Sequence, residues 1–225
     1  QINKGLKKYE STHPVVNNEE LPYTFSQYGS SEYLTLKAVN CVKNCDYTVG
    51  SARAIDLFRD VKNTIAFNVK DLVDKLEEGV ELAVSGNSVA ILSTGDPGFS
   101  GVLNTVLRIS EEKNFSKDNI EVIPGISSLQ LAAARNHIQW DNANVMTFHG
   151  RENIEDILEV IDNGKVTIAL PSRKVKDMAQ FLLDNGVSEN RQVTVCERLS
   201  YPDEKIVSTS LKNIATSEFT YMCIM

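Results

Sequence analysis

From Glu32 onward the apolar positions switch repeatedly between a helical spacing and a strand-like one. "EYLTLKAVNCVKNC" sets Leu34, Ala38, Cys41, Val42 and Cys45 at helical spacing and predicts an amphipathic helix. "DYTVG" predicts a short strand closed by Gly50, and "SARAIDLFRD" a helix with Ser51 as its N-cap. "NTIAFN" is strand-like, and "KDLVDKLEEGVELAVSG" repeats apolar residues at i, i+3, i+4 and i+7, as a long helix does. Strand "SVAILST", helix "GVLNTVLRISEEK", strand "NIEVIPG" and helix "SSLQLAAARNH" follow, the last capped by Ser127 or Ser128.

After "IQWDNA" the alternation resumes with strand "NVMTFHG", helix "IEDILEVIDNG", strand "KVTIALP", helix "VKDMAQFLLDNG" and strand "RQVTVCER". Strands at 206–210 and 220–225 close the pattern, with a short helical stretch between them. Such alternation predicts an α/β protein with mostly parallel sheets. The polar stretch at 138–143 predicts a boundary between two α/β domains, 1-140 and 141-225. The first residues, through about 28, carry no sustained period of either kind and stand apart.

Composition narrows the class. With 42% hydrophobic and 24% charged residues, a chain of 225 residues reads as an ordinary soluble protein able to bury a core. No apolar run approaches the roughly 20 residues that cross a membrane. The start "QINKGLKKYESTHPVV" lacks the apolar core of a signal peptide. A net charge of -7 argues against general nucleic-acid binding, which needs a basic surface. Cys41, Cys45, Cys196 and Cys223 match no usual zinc spacing, so the expectation is reduced thiols, no metal and a cytoplasmic setting.

Two loops invite chemistry. "ILSTGDPGFSG", residues 91–101, is a strand running into a loop almost without side chains, with Asp96 as its single carboxylate. In an α/β domain such a loop lies at the carboxyl end of the sheet, where ligands bind. Gly95, Gly98 and Gly101 let a ligand approach the main chain, and Pro97 stiffens the loop. Taken alone, the motif is also a common tight turn. "VIPGISS", residues 122–128, repeats the layout with a Pro-Gly turn and two hydroxyls opening a helix. Together the two loops suggest a shared ligand site.

These segments carry a resemblance. "GSSEYLTLKAV", "VGSARAIDLF", "LSTGDPGFSG", "EVIPGISSLQLAAAR", "WDNANVMTFHGR" and "VTVCERLS" resemble, in order, the tetrapyrrole methylases, the class III S-adenosylmethionine methyltransferases. The resemblance spans about residues 29–225. Within the family, "GSARAIDLF" and "HGR" are most similar to the branch that methylates C-5 of cobalt-precorrin-7 in cobalamin synthesis. It implies two α/β domains enclosing S-adenosylmethionine in an interdomain cleft, a tetrapyrrole beside it, and a homodimer. Carried over, the donor site comprises Gly95, Asp96, Gly98, Phe99, Ser127, Ser128, Leu170 and Cys196. For Leu170 and Cys196, plain core packing stands as the alternative.

One departure stands out: where the family has a GxGPG loop, this chain reads "FSQYG", keeping only Gly29. A polycarboxylate acceptor bound by an acidic protein calls for local arginines, which grip carboxylates in a bidentate way. Arg151 in "HGR" leads, followed by Arg198, Arg53 and Arg173, with solvated surface positions as the alternative reading of each. His149 could assist proton loss, bind a propionate, or be a hydrogen-bonded structural histidine. A methylase for another ring carbon, a diphthine synthase and a non-catalytic homologue remain open.

Overall fold

The computed structural model describes residues 31–58, 61–149, 153–171 and 174–225. Gly29, Arg151 and Arg173 lie outside them. The chain forms two compact units, one ending at Ile126 and the other spanning Ser127–Met225.

In the first unit, α1 (Leu36–Asn44) starts at Thr35, whose hydroxyl accepts from the Ala38 N–H at 3.2 Å. Next come β1 (Tyr47–Ser51), α2 (Ala52–Ile55), β2 (Thr64–Phe67), α3 (Leu72–Val84), β3 (Val89–Ile91) and α4 (Leu103–Glu112). Ser51 caps α2, as its sequence predicts, by accepting from the Ala54 N–H. The three strands form a parallel sheet in the order β2-β1-β3. The central strand is covered on both sides, as parallel strands usually are. Val49 packs with Leu76, Val80, Val106 and Ile109 of α3 and α4. A second cluster joins Val42 and Cys45 to Ala54, Ala90 and Leu92.

The second unit holds α5 (Ser128–Arg135), β4 (Asn144–Thr147), α6 (Asp156–Val160), β5 (Thr167–Leu170), α7 (Val175–Asp184), β6 (Gln192–Glu197), β7 (Lys205–Ser210), α8 (Leu211–Ala215) and β8 (Cys223–Ile224). β4 and β5 run parallel, whereas β6 pairs antiparallel with both β7 and β8. Ala169 and Met225 exchange backbone hydrogen bonds of 2.8 and 3.0 Å, which join the two sheets. The core gathers Phe148, Ile157, Met178, Leu182, Val195, Leu211 and Ile214.

Three details differ from the sequence-based expectation. The antiparallel pairing of β6 and β7 follows from their connection, residues 198–204, which is too short for the crossover that parallel strands need. "NIEVIPG" forms no strand: Pro124 lacks an N–H, Val122 is exposed, and Glu121 instead pairs with Lys37 at 2.6 Å. The division between units falls before α5 rather than near 138–143. The reason is that α5 is tied to the second unit by Asn136 to Cys196 and by Arg135 to Glu204. Among the described residues, no helix is long and apolar enough to cross a membrane.

Candidate functional site

In the first unit, β3 gives way to the Gly-Asp-Pro loop just after Leu92, whose N–H reaches the Val49 carbonyl at 2.7 Å. Asp96 is not the isolated acceptor that its sequence context suggests. Its Oδ1 accepts from the Gly98 N–H at 2.9 Å, and its Oδ2 accepts from the Gly125 N–H at 3.3 Å. One carboxylate therefore folds its own loop and fastens the Pro-Gly loop to it. Charge-assisted bonds to backbone N–H groups are among the stronger hydrogen bonds. The half-buried Phe99 closes the turn with its N–H on the Asp96 carbonyl at 3.2 Å.

The glycines fit that arrangement. Gly95 has φ +77°, a left-handed conformation that glycine adopts without strain. A Cβ built on Gly125 would stand 2.4 Å from the Gly95 carbonyl oxygen, so the two loops touch main chain to main chain. At the rim, Arg53 at the head of α2 donates to Thr94 Oγ1 at 3.1 Å. Sequence brings Gly95, Asp96, Gly98 and Phe99 into one list; the structure adds Gly125, visible beforehand only as half of a Pro-Gly turn.

The second unit begins at Ser127, which leads into α5. Ser127 and Gln130 form a capping box: the Ser127 hydroxyl accepts from the Gln130 N–H, and Gln130 Oε1 accepts from the Ser127 N–H at 2.7 Å. Ser127 is thus the cap and Ser128 the first helical residue, where unpaired N–H groups gather and negative charge is favoured. Leu170 ends β5 with its carbonyl on the Phe148 N–H at 2.9 Å, beside the exposed His149. The His149 N–H is held by Thr147 Oγ1 at 3.3 Å.

Cys196 is buried in β6, and its sulfur accepts from Asn136 Nδ2 at 3.2 Å. Burial raises the Cys196 pKa. Burial and the neighbouring Cys41 thiol lift Cys45 to about 11. Burial, then the Glu197 carboxylate, lift Cys223 to about 12. A thiol in such surroundings is a poor nucleophile. Arg198 leaves β6 at φ +51°, donates to Asp203 at 2.7 Å and lies 4.4 Å over the Tyr201 ring. Its guanidinium is held in place rather than swinging in solvent. Sequence reading passed over Glu197, a buried carboxylate accepting from the Thr220 N–H. The signal was available in "VCER", where an acid ends an apolar strand.

Glu204 secures this corner by accepting from Arg135 at 2.7 Å and from the Ser200 N–H at 2.8 Å. Burial alone raises its carboxyl, but Arg135 and the Ser200 N–H hold it below the usual glutamate value of 4.5. A carboxyl depressed in the folded state favours folding above its usual value, and that contribution is lost as pH falls toward the folded value. Melting temperature should therefore decline as pH drops below 4.5, and Glu204→Gln should decline less steeply. Melting curves taken at steps from about pH 6 to about pH 3.5 check the difference in slope.

The family model described as tetrapyrrole (corrin/porphyrin) methylases matches residues 28–215. The chain belongs to the tetrapyrrole methylases. It is 41% identical to the probable cobalt-precorrin-7 C(5)-methyltransferase of Methanocaldococcus jannaschii over 198 residues, covering 87% of this chain and 92% of that one. Among solved structures, the methyltransferase CobJ superposes with a TM-score of 0.75 at 14% identity, covering 87% and 88% of the two chains. Uroporphyrin-III C-methyl transferase from Thermus thermophilus, complexed with S-adenyl homocysteine, gives a TM-score of 0.67 at 20% identity, covering 86% and 90%. Both superpositions establish the fold of this methylase.

Proposed function

We propose that this chain transfers a methyl group from S-adenosylmethionine to C-5 of cobalt-precorrin-7, in the synthesis of the corrin ring. The observation that carries the reading is the 41% identity to the M. jannaschii protein across nearly the whole of both chains. It is supported by the Gly-Asp-Pro and Pro-Gly loops, which Asp96 fastens together.

Methyl transfer from a sulfonium is an in-line displacement. The acceptor carbon forms a bond to the methyl as the sulfur–methyl bond breaks, and S-adenosylhomocysteine leaves. The macrocycle supplies the electron pair, so the protein's main task is alignment. In this reading the donor contacts are Gly95, Asp96, Gly98 and Phe99 of the first unit and Ser127, Ser128 and Leu170 of the second. Asp96 acts as a positioning residue as much as a contact, because its oxygens already hold Gly98 and Gly125. Cys196 contributes by packing under α5. Arg53 and Arg198 grip acceptor carboxylates, as does Arg151, which lies outside the described residues. His149 assists proton loss or binds a propionate. The enzyme acts in the cytoplasm as a homodimer.

Calorimetric titration with S-adenosylmethionine, followed by turnover with cobalt-precorrin-7 and with other precorrins, tests the reading. Donor binding with turnover of cobalt-precorrin-7 supports it. Donor binding with turnover of a different precorrin moves the chain to another branch of the family. Absence of donor binding makes it a non-catalytic homologue.

A further inference from the structure

The direction of three strands decides which side chains share one end of the second unit's sheet. β4 and β5 run parallel. β8 is antiparallel to β6, and the reciprocal Ala169–Met225 hydrogen bonds mark it as antiparallel to β5 as well. β6 therefore runs parallel to β5, and the carboxyl ends of β4, β5 and β6 coincide. Phe148 and His149 follow β4 there, Leu170 ends β5, and Glu197 and Arg198 mark the end of β6. Ligands of open α/β sheets bind outside the carboxyl ends of the strands.

Arg198 opens the connection to β7, residues 198–204, and that connection is built around it. Its φ of +51° and the +69° of Ser200 are left-handed, which strains any residue but glycine. A glycine at 198 would take this turn freely but would carry no guanidinium. Main-chain bonds hold the strained turn: the Arg198 N–H donates to the Met222 carbonyl at 2.9 Å, and the Tyr201 N–H to the Arg198 carbonyl at 3.1 Å. Two acids divide the remaining work. Glu204 accepts from the Ser200 N–H and ties the connection to Arg135 of α5, whereas Asp203 accepts from Arg198 Nε at 2.7 Å. The guanidinium carbon lies 4.4 Å from the centroid of the Tyr201 ring, and that tyrosine is itself buried, so the ring is a fixed platform. Asp203 occupies Nε alone, and neither Nη has a hydrogen-bond partner among the described residues. The Arg198 side chain is 27% exposed, enough for a ligand to reach that edge.

We infer that Asp203 and Tyr201 are positioning residues that hold the Arg198 fork ready for a carboxylate of the acceptor, a role that rests on the tetrapyrrole acceptor of the proposed function. Asp203 fixes the guanidinium at Nε and Tyr201 fixes its plane, which leaves the paired Nη groups as the ligand edge. That edge can grip a carboxylate through two parallel bonds. With the side chain already ordered, less conformational entropy is lost when the carboxylate arrives. A lysine would offer neither the stacked plane nor the paired edge.

Calorimetric titration with uroporphyrin III, a stable tetrapyrrole polycarboxylate, reads this subsite without any methyl transfer. Arg198→Lys should weaken its binding about tenfold or more, since the charge stays and the fork is lost. Asp203→Asn should weaken it about fivefold, the scale of an exposed ion pair, and leave S-adenosylmethionine affinity unchanged. Tyr201→Leu should lose as much as Asp203→Asn, and Tyr201→Phe, which keeps the ring, should not. The double variant Arg198→Lys with Asp203→Asn should bind no worse than Arg198→Lys alone, because Asp203 acts through the guanidinium. A merely structural Asp203 would weaken binding by the same factor on either background, and that additive result would overturn the inference. So would unchanged porphyrin affinity in Asp203→Asn, or no porphyrin binding by the unmodified chain. Loss of donor affinity with porphyrin affinity intact would also overturn it, since the fork would then hold the carboxylate of S-adenosylmethionine. Turnover of a precorrin other than cobalt-precorrin-7 would move the methylated carbon and leave this binding cycle as it stands.

Discussion

Replacing Gly125 by alanine should abolish calorimetrically detectable S-adenosylmethionine binding while lowering the melting temperature by only about 5 °C. The new methyl would stand 2.4 Å from the Gly95 carbonyl oxygen and 3.0 Å from its carbonyl carbon, both main-chain atoms that no side-chain rotation can move. Relief requires the Pro-Gly loop to withdraw from the Gly-Asp-Pro loop, stretching the bond from the Gly125 N–H to Asp96. Overpacking of this kind costs about 1–3 kcal/mol in stability, but a ligand seated on both loops loses its geometry outright. Gly186→Ala separates the two effects. Gly186 has φ +84° with open space around its α-carbon, so alanine there strains the backbone without crowding anything. That variant should lose stability and keep its donor affinity. If Gly125→Ala binds the donor as well as the unmodified chain, these loops do not form its seat.

Asp96→Asn should weaken donor binding by about ten- to a hundredfold and lower the melting temperature by about 5 °C, since the lost bond is one the unliganded fold already makes. The carboxylate accepts from two backbone N–H groups, one on each oxygen. An amide offers a single oxygen, so either Gly98 or Gly125 then faces an NH₂ group and loses its acceptor. Losing a charged hydrogen-bond partner costs about 1.5–3 kcal/mol, and each 1.4 kcal/mol is about tenfold in affinity. Calorimetry on the variant measures the loss directly. An unchanged dissociation constant would remove Asp96, as contact and as clamp, from the donor site.

Much of this arrangement could be read from the residues. The periodic segments that became α1 to α4, β1 to β3 and the strands of the second unit were legible because each buries one face or both, and burial imposes its own spacing. The serine caps were legible for a local reason, since Ser51 and Ser127 satisfy N–H groups only a turn away. What escaped was relational. The direction of β6 against β7 is absent from their hydrophobic pattern, although the short connection between them carries it. Asp96 looked solitary because its second partner, Gly125, lies on another loop distant in sequence. Cys196 was legible as a strand residue, but its partner Asn136 lies on α5, distant in sequence. In the segment before Gly125, apolar residues imitate a strand, but Pro124 and the exposed Val122 leave it nothing to pair with.

The decisive measurement incubates the purified chain with cobalt-precorrin-7 and S-adenosylmethionine carrying a ¹³C-labelled methyl group, then locates the label in the product by NMR. One labelled methyl on C-5 and one equivalent of S-adenosylhomocysteine released are the expected result. Label on any other carbon, or no transfer from a donor that calorimetry shows to be bound, would contradict it.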